Sequence, residues 1–309
     1  MILSKDNVLA QILKDRGVHH DSDLHQHLNP KYEYIDGTHT AFTDIDKAVA
    51  RIQKAIHHQE MICVYGDFDV DGLTSTAILL KTIKAKGGIA FPYIPNRITQ
   101  GHSLHRSAIQ RIAEDASLII TVDCGINAVS EVEYANYLGC NVIITDHHPA
   151  GEILPSAHAV IVPPAKLYTD FSGAGIAFKP AQALLGDEAK DLLGLAAIGT
   201  ITDLVPQHYE NRMISYLGLQ QLNKDAGYGL SIMLERLDRQ DITTNAIRYI
   251  LAPRLNSASR FGQADIAFNL LMTDQKDMAV DYCEQLEDLN TQRKSEVDFL
   301  MQLADIDVD

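Results

Sequence analysis

The chain has 309 residues, 46% apolar and 22% charged, and its 41 acidic and 26 basic residues leave a net charge of −15. That length favours one large domain with a smaller unit beside it, and the charge argues against a protein that coats nucleic acid regardless of sequence, which needs surplus Lys and Arg. No stretch reaches the roughly 18 apolar residues of a membrane span. Charges scattered through "MILSKDNVLAQILKDRG" show no signal peptide, and Cys63, Cys124, Cys140 and Cys283 form no C-x-x-C pair, so the expectation is a cytoplasmic chain with buried free thiols.

Residues 1–45 read as a helical lead-in with a polar, His-containing loop, in which His19 and His20 are solvated and His25 and His27 take no assignment. The amphipathic "DIDKAVARIQKAIHH", 44–58, crosses into residues 46–225, where strands and helices then alternate. Strands are expected at Met61–Tyr65, Ile89–Ile94, Leu118–Asp123, Asn141–Thr145 and Ala159–Val162. Helices are expected at Thr74–Lys86, His105–Glu114, Ala128–Leu138 and Ala177–Leu185. A helix after nearly every strand predicts an α/β fold, a doubly wound and mostly parallel sheet. From about Asp187 the pattern is helical, and 226–309 is expected to hold a loop, "APRLNSASR", and a long charged C-terminal connecting helix.

The stretch "VYGDFDVDGLTSTAILL" begins like a calcium loop, D-x-D-x-D-G. Such a loop needs a bidentate Glu at its twelfth position and follows a helix. Here the twelfth residue from Asp67 is Ile78, and the preceding "MICVY" reads as a buried strand. Asp67, Asp69 and Asp71 therefore sit at the carboxyl end of a strand, where open α/β sheets bind ligands. Asp123 closes a second apolar run, and Asp146, His147 and His148 close a third. Asp203 lies among apolar residues in "AAIGTITDLVP", where a lone carboxylate is costly unless ligated or paired. Carboxylates with imidazole and no thiolate suit Mn²⁺ or Mg²⁺, and one shared aspartate would allow two ions. An isolated Asp at a strand end is ordinarily a turn or capping residue; three such clusters together favour a metal site.

The motifs "VYGDFDVDGLTST", "VDCG", "TDHH", "GAGIAFK", "GTITDLVP", "ENR" and "APRLNSASR" occur in the order found in the Asp-His-His phosphoesterase superfamily. They most resemble its RecJ branch of single-strand 5′-to-3′ exonucleases. The resemblance runs to about Arg293 and implies a nuclease dependent on two Mn²⁺ or Mg²⁺ ions, with Asp69, Asp71, Asp123, His147 and Asp203 as ligands. It implies that Asp67 is a ligand or lies behind one, and that His148 faces substrate phosphate. Tyr65 stands where other superfamily members often have His, as in the RecJ branch.

Substrate contacts are expected from Asn96, Arg97 and His102 in "YIPNRITQGHSL", where similar nucleases usually carry Tyr in place of His102, and from Arg254, Asn256 and Arg260. Gly72–Ala113 contains no acid but six Lys or Arg residues, and Arg248–Arg260 is likewise acid-free with three arginines, so both stretches suit phosphate clamps; each Arg could equally be a solvated surface charge. Ser259 replaces a family glycine, and "VPPAK" departs from the usual Asn-Pro-Lys. The glycines of "GAGIAFK" suit either an anion site at a helix N-terminus or a tight packing turn. Family members continue into a second domain; nothing like it follows Leu300, so the expectation is the metal half of a cleft, weakly active alone. The implied substrate is single-stranded DNA, with RNA possible, no membrane, and partners such as a helicase or single-strand-binding protein in repair and recombination. Alternatives are a phosphodiesterase of short oligonucleotides or cyclic dinucleotides, and a scaffold like the replicative-helicase subunit of this fold, whose ligands are eroded.

Overall fold

The computed structural model describes residues 8–16, 18, 21–164, 170–239 and 241–306. His19, His20 and the end of "VPPAK" lie outside the described residues. Five short strands, β1 (Met61–Tyr65), β2 (Ile89–Tyr93), β3 (Leu118–Val122), β4 (Asn141–Thr145) and β5 (Ala159–Ile161), form one parallel sheet in the order β2-β1-β3-β4-β5. Each is a mostly apolar run and lies within one residue of its expected span. The chain leaves β1 outward to β2 and returns on the other side to β3, so the winding reverses between β1 and β3. Side chains alternate between faces along each strand. Ile62, Val64, Leu118, Ile120 and Ile143 join one core, while Cys63, Tyr65, Ile119, Val142 and Ile144 join another.

The helices in chain order are α1 (Val8–Asp15), α2 (Asp21–Leu28), α3 (Ile45–His57), α4 (Val70–Ala85), α5 (Arg106–Asp115), α6 (Val129–Tyr137) and α7 (Gly173–Leu185). Packing of α3, α4 and α7 on the first face and of α5 and α6 on the second makes the sheet doubly wound. The remainder is helical: α8 (Leu193–Thr202), α9 (Tyr209–Lys224), α10 (Gly227–Arg236), α11 (Thr244–Ala246), a π-helical turn (Ile247–Leu251), α12 (Ala252–Arg260), α13 (Ala264–Met272) and α14 (Lys276–Ile306). The first core runs on without a break into Leu230, Leu251, Leu255, Leu270 and Leu286 of these helices. All four cysteines are buried and free. Among the described residues no helix is long and apolar enough to cross a membrane.

One expected element is different. "APRLNSASR" is not a loop but the helix α12. Its proline, Pro253, stands directly after the π-helical turn, where the wider turn interrupts the regular helical hydrogen-bond ladder. Ser259 is buried there and donates to the Asn256 carbonyl at 3.0 Å, so the backbone is plain helix despite the lost glycine.

Candidate metal centre

The loop after β1 is organised by its own carboxylates. Asp69 caps α4, accepting from the Gly72 amide at 3.0 Å. Asp71, in the first turn and buried, accepts from the Gly173 and Ala174 amides at 2.6 and 2.9 Å. The anion held at the N-terminus of α7 is therefore an internal one. Two glycines permit this approach: a Cβ on Gly173 would lie 2.5 Å from the Asp123 Cβ, and one on Gly199 would lie 2.4 Å from Asp71 Oδ1. Asp123, just past β3, takes left-handed backbone (φ 60°) with its amide donating to the Thr145 carbonyl. A non-glycine residue strained in this way marks a site where geometry overrides local preference.

His147, after β4, links the parts. Its Nε2 lies 3.0 Å from Asp123 Oδ1 and its Nδ1 lies 3.8 Å from Asp203 Oδ2, at the end of α8. Asp67 touches His102 Nδ1 through Oδ2 at 2.9 Å. Asp146 lines one cavity with Asp67 and Asp123 but is fully engaged by hydrogen bonds. It accepts from the amides of Ile126, His147 and His148 and from His148 Nδ1 at 2.8 Å, which leaves Nε2 of the half-exposed His148 as its outward nitrogen.

Burial, then the neighbouring Asp203 and Asp69, push the Asp71 carboxyl well above its ordinary range. Burial, then Asp71, Asp69 and Asp67, do the same to Asp123. Asp203 is pushed up to about 6 by burial and Asp69, and Asp67 is raised by burial and Asp69. Burial holds His147 below the usual imidazole value, whereas the hydrogen bond to Asp146 raises His148. Burial would raise Asp146 too, but hydrogen bonds from His148 and Ile126 outweigh it and hold it low. Among the described residues no Lys or Arg forms an ion pair with Asp67, Asp69, Asp71, Asp123 or Asp203; their only ion-pair contacts are with histidines. The cluster is thus short of positive charge. Oδ1 of Asp67 and Oδ1 of Asp123 are buried without a hydrogen-bond partner, although His147 lies near the second. Three groups bring ligand atoms within 4.8 Å of one another: Asp67, Asp69 and Asp123; Asp71, His147 and Asp203; and Asp123, His147 and His148. These donors and their unpartnered oxygens fit hard divalent cations.

The residues expected to touch substrate fall into two sets. His102 packs ring to ring at 4.3 Å on the buried Phe68, and the exposed Arg97 sits 5.1 Å over the same ring, so His102 and Arg97 are the outer groups beside Asp67. Arg260 is exposed, with no hydrogen bond or ion pair among the described residues. The other three are engaged within the fold. Asn96 donates to the Gly262 carbonyl at 2.9 Å and accepts from Ile98 and Thr99. Asn256 accepts from the amide of Val70, between Asp69 and Asp71, at 3.1 Å. Arg254 is not free of acids: the fold lays α14 beside α12, and Glu287 takes the guanidinium at 2.6 and 3.3 Å. Sequence reasoning missed the orienting role of Asp146 and the ring of Phe68. Asp146 carried a signal in standing directly before two histidines; Phe68 carried none.

Residues 61–200 match the family described as "DHH family, N-terminal domain". The single-stranded-DNA-specific exonuclease RecJ of Bacillus subtilis (strain 168) is 43% identical over 258 residues, which are 81% of this chain and 33% of that protein. A crystal structure of exonuclease RecJ bound to manganese is similar with a TM-score of 0.80 at 32% identity, covering 84% of this chain and 69% of that one. RecJ from Thermus thermophilus in complex with Mg²⁺ is similar with a TM-score of 0.67 at 29% identity, covering 84% and 36%. The chain spans between 33% and 53% of the length of the curated RecJ relatives it matches. With its strand order, its Asp and His clusters and this likeness all in agreement, the chain belongs to the RecJ branch of the DHH phosphoesterases.

Proposed function

We propose that this chain is the metal-holding part of a single-strand-specific 5′-to-3′ DNA exonuclease, which releases 5′-mononucleotides by hydrolysis with two divalent cations. The observation that carries the reading is the convergence of five aspartates and His147 from four separate places in the chain, with buried oxygens left unpartnered. Asp67, Asp69 and Asp123 would hold one ion and Asp71, His147 and Asp203 the other, with Asp123 near both groups. Bound Mn²⁺ or Mg²⁺ supplies Lewis acidity toward the phosphoryl group and an activated water. The chain's own groups do the rest. His148, oriented by Asp146 and raised in basicity, presents Nε2 as a proton-bearing donor to a phosphate oxygen. His102, backed by the buried Phe68 ring, offers a face for the terminal base, and Arg97 and Arg260 offer charge to phosphates. Asn96, Asn256 and Arg254 act by holding the loops that carry these groups. The manganese and magnesium bound by the related structures support the choice of ions, and the relatives' described specificity supports single-stranded DNA. A role in repair and recombination in the cytoplasm, with helicase or single-strand-binding partners, belongs to the same reading.

The test is nucleotide release from a 5′-phosphorylated single strand in Mn²⁺, set against an Asp123→Asn variant whose Mn²⁺ affinity is measured by titration. Asp123→Asn should lower release on the order of 10³-fold and weaken Mn²⁺ binding together. Retained release in that variant would remove the two-ion reading. A non-catalytic scaffold would be expected to have lost ligands, and none is lost here.

A further inference from the structure

Away from the metal rim, a cavity of about 380 Å³ lies between the N-terminal lead-in and the start of α9, lined by Arg16, His27, Gln207, His208 and Arg212. In a chain of net charge −15 this is an unusual gathering. Neither Arg16 nor Arg212 pairs with a carboxylate or has a side-chain hydrogen bond among the described residues; Arg212 only lies 5.1 Å from the Tyr216 ring. The Nδ1 atoms of His27 and His208 are buried and have no hydrogen-bond partner. Burial and the facing Arg212, His208 and Arg16 hold the His27 imidazole below its ordinary value, so these groups are close enough to repel one another. Elsewhere Arg236 pairs with Glu284 and Arg254 with Glu287, and Arg97 and Arg260, unpaired among the described residues, stand singly at the surface rather than gathered in a cavity. Four donors left facing a shared space, two of them planar guanidinium forks, match the oxygens of a phosphate.

We propose that this cavity is a phosphate-binding site separate from the metal centre. Its ligand is a phosphate group, gripped by the forks of Arg16 and Arg212 with hydrogen bonds from His27 and His208, while Gln207 is held to the Thr200 and Val205 carbonyls. Gln207 and His208 stand four and five residues beyond Asp203, on the segment that leaves the metal rim. That placement suits an internucleotide phosphate of a strand whose end lies at the metals. A free phosphate or a mononucleotide carries the same chemistry.

The experiment works in EDTA, so hydrolysis plays no part and the result stands apart from the nuclease reading. Binding of a fluorescent oligothymidylate is followed against salt, and thermal unfolding is followed with and without inorganic phosphate. Arg16→Ala/Arg212→Ala should lower the slope of log K on log salt by about 1.4, two contacts at about 0.7 each for a single strand, if the phosphate belongs to a strand. An unchanged slope together with loss of the melting-point rise given by inorganic phosphate assigns the site to a free phosphate. If neither quantity differs from wild type, the site does not exist. Should loss of the Arg212 contact with Tyr216 impair folding, Arg16→Ala/His27→Gln puts the same question, since Arg16 is exposed.

Discussion

The helix α7 touches two buried charges and treats them in opposite ways. Its N-terminal amides meet Asp71, one of a group of carboxyls crowded against one another whose ion-pair contacts among the described residues are with histidines. Six residues on from Gly173, Lys179 is fully buried and is met completely. It pairs with Glu210, lies against the Phe42 and Phe171 rings, and donates to Thr38 Oγ1 at 3.0 Å. Thr38 in turn donates to Glu210 at 3.1 Å. The second region balances its charge within the chain, and so ties the lead-in, α7 and α9 together. The first does not, and its deficit is the size and sign that divalent cations supply. The lysine of "GAGIAFK" and the glutamate of "ENR" thus serve the fold, while the aspartates are left for the ions of the proposed function.

Breaking the balanced pair should have the largest effect on stability. Lys179→Met leaves Glu210 charged and buried, and removing one partner of such a pair typically costs about 3–5 kcal/mol. Urea unfolding should show that loss with or without Mn²⁺; a variant as stable as wild type would mean the pair is not buried in solution. The crowded region should respond to cations instead. At free Mn²⁺ about 100 times the dissociation constant, each occupied site should stabilise the chain by about 2.7 kcal/mol, and EDTA should reverse it. Lys179→Met should show the same Mn²⁺ increment as wild type, because the two regions are compensated independently.

How much of this was legible beforehand depends on the range of the interaction. Strands β1, β3 and β4 announced themselves as short apolar runs, and the acids that end them were readable because parallel strands finish on one edge. What could not be read was contact between residues far apart in sequence with no periodic signature. Arg254 lies in an acid-free stretch, yet Glu287, 33 residues on, takes its fork. Asn256 reaches Val70 across 186 residues and ties α12 to the first aspartate loop. The same limit explains "APRLNSASR", expected as a loop: packing against α13 and α14 and the interior Leu255 and Ala258 keep it helical.

Within the crowded region, Asp146 separates orientation from ligation. It accepts three amides and His148 Nδ1 and joins none of the three ligand groups. Asp146→Ala should lower nucleotide release by about 10–100-fold, as for groups that orient a ligating or catalytic side chain. Mn²⁺ affinity should fall much less than in Asp123→Asn. Equal losses of affinity in both variants would make Asp146 a ligand and erase the distinction.

The smallest effect sharpens the comparison at the surface. Arg254 is mostly covered but Glu287 is nearly half exposed, so their pair is screened by water and should contribute about 1 kcal/mol or less to stability. If Arg254 serves only to fasten α12 to α14, Glu287→Gln should cause the same small loss as Arg254→Ala, and both should leave oligonucleotide affinity within about twofold. If Arg254 instead reaches substrate phosphate after leaving Glu287, the two variants part. Glu287→Gln would free the guanidinium and tighten binding, whereas Arg254→Ala would weaken it and lower the salt slope by about 0.7. Anisotropy in EDTA across a salt series distinguishes these outcomes, and the engaged geometry of the pair predicts the first.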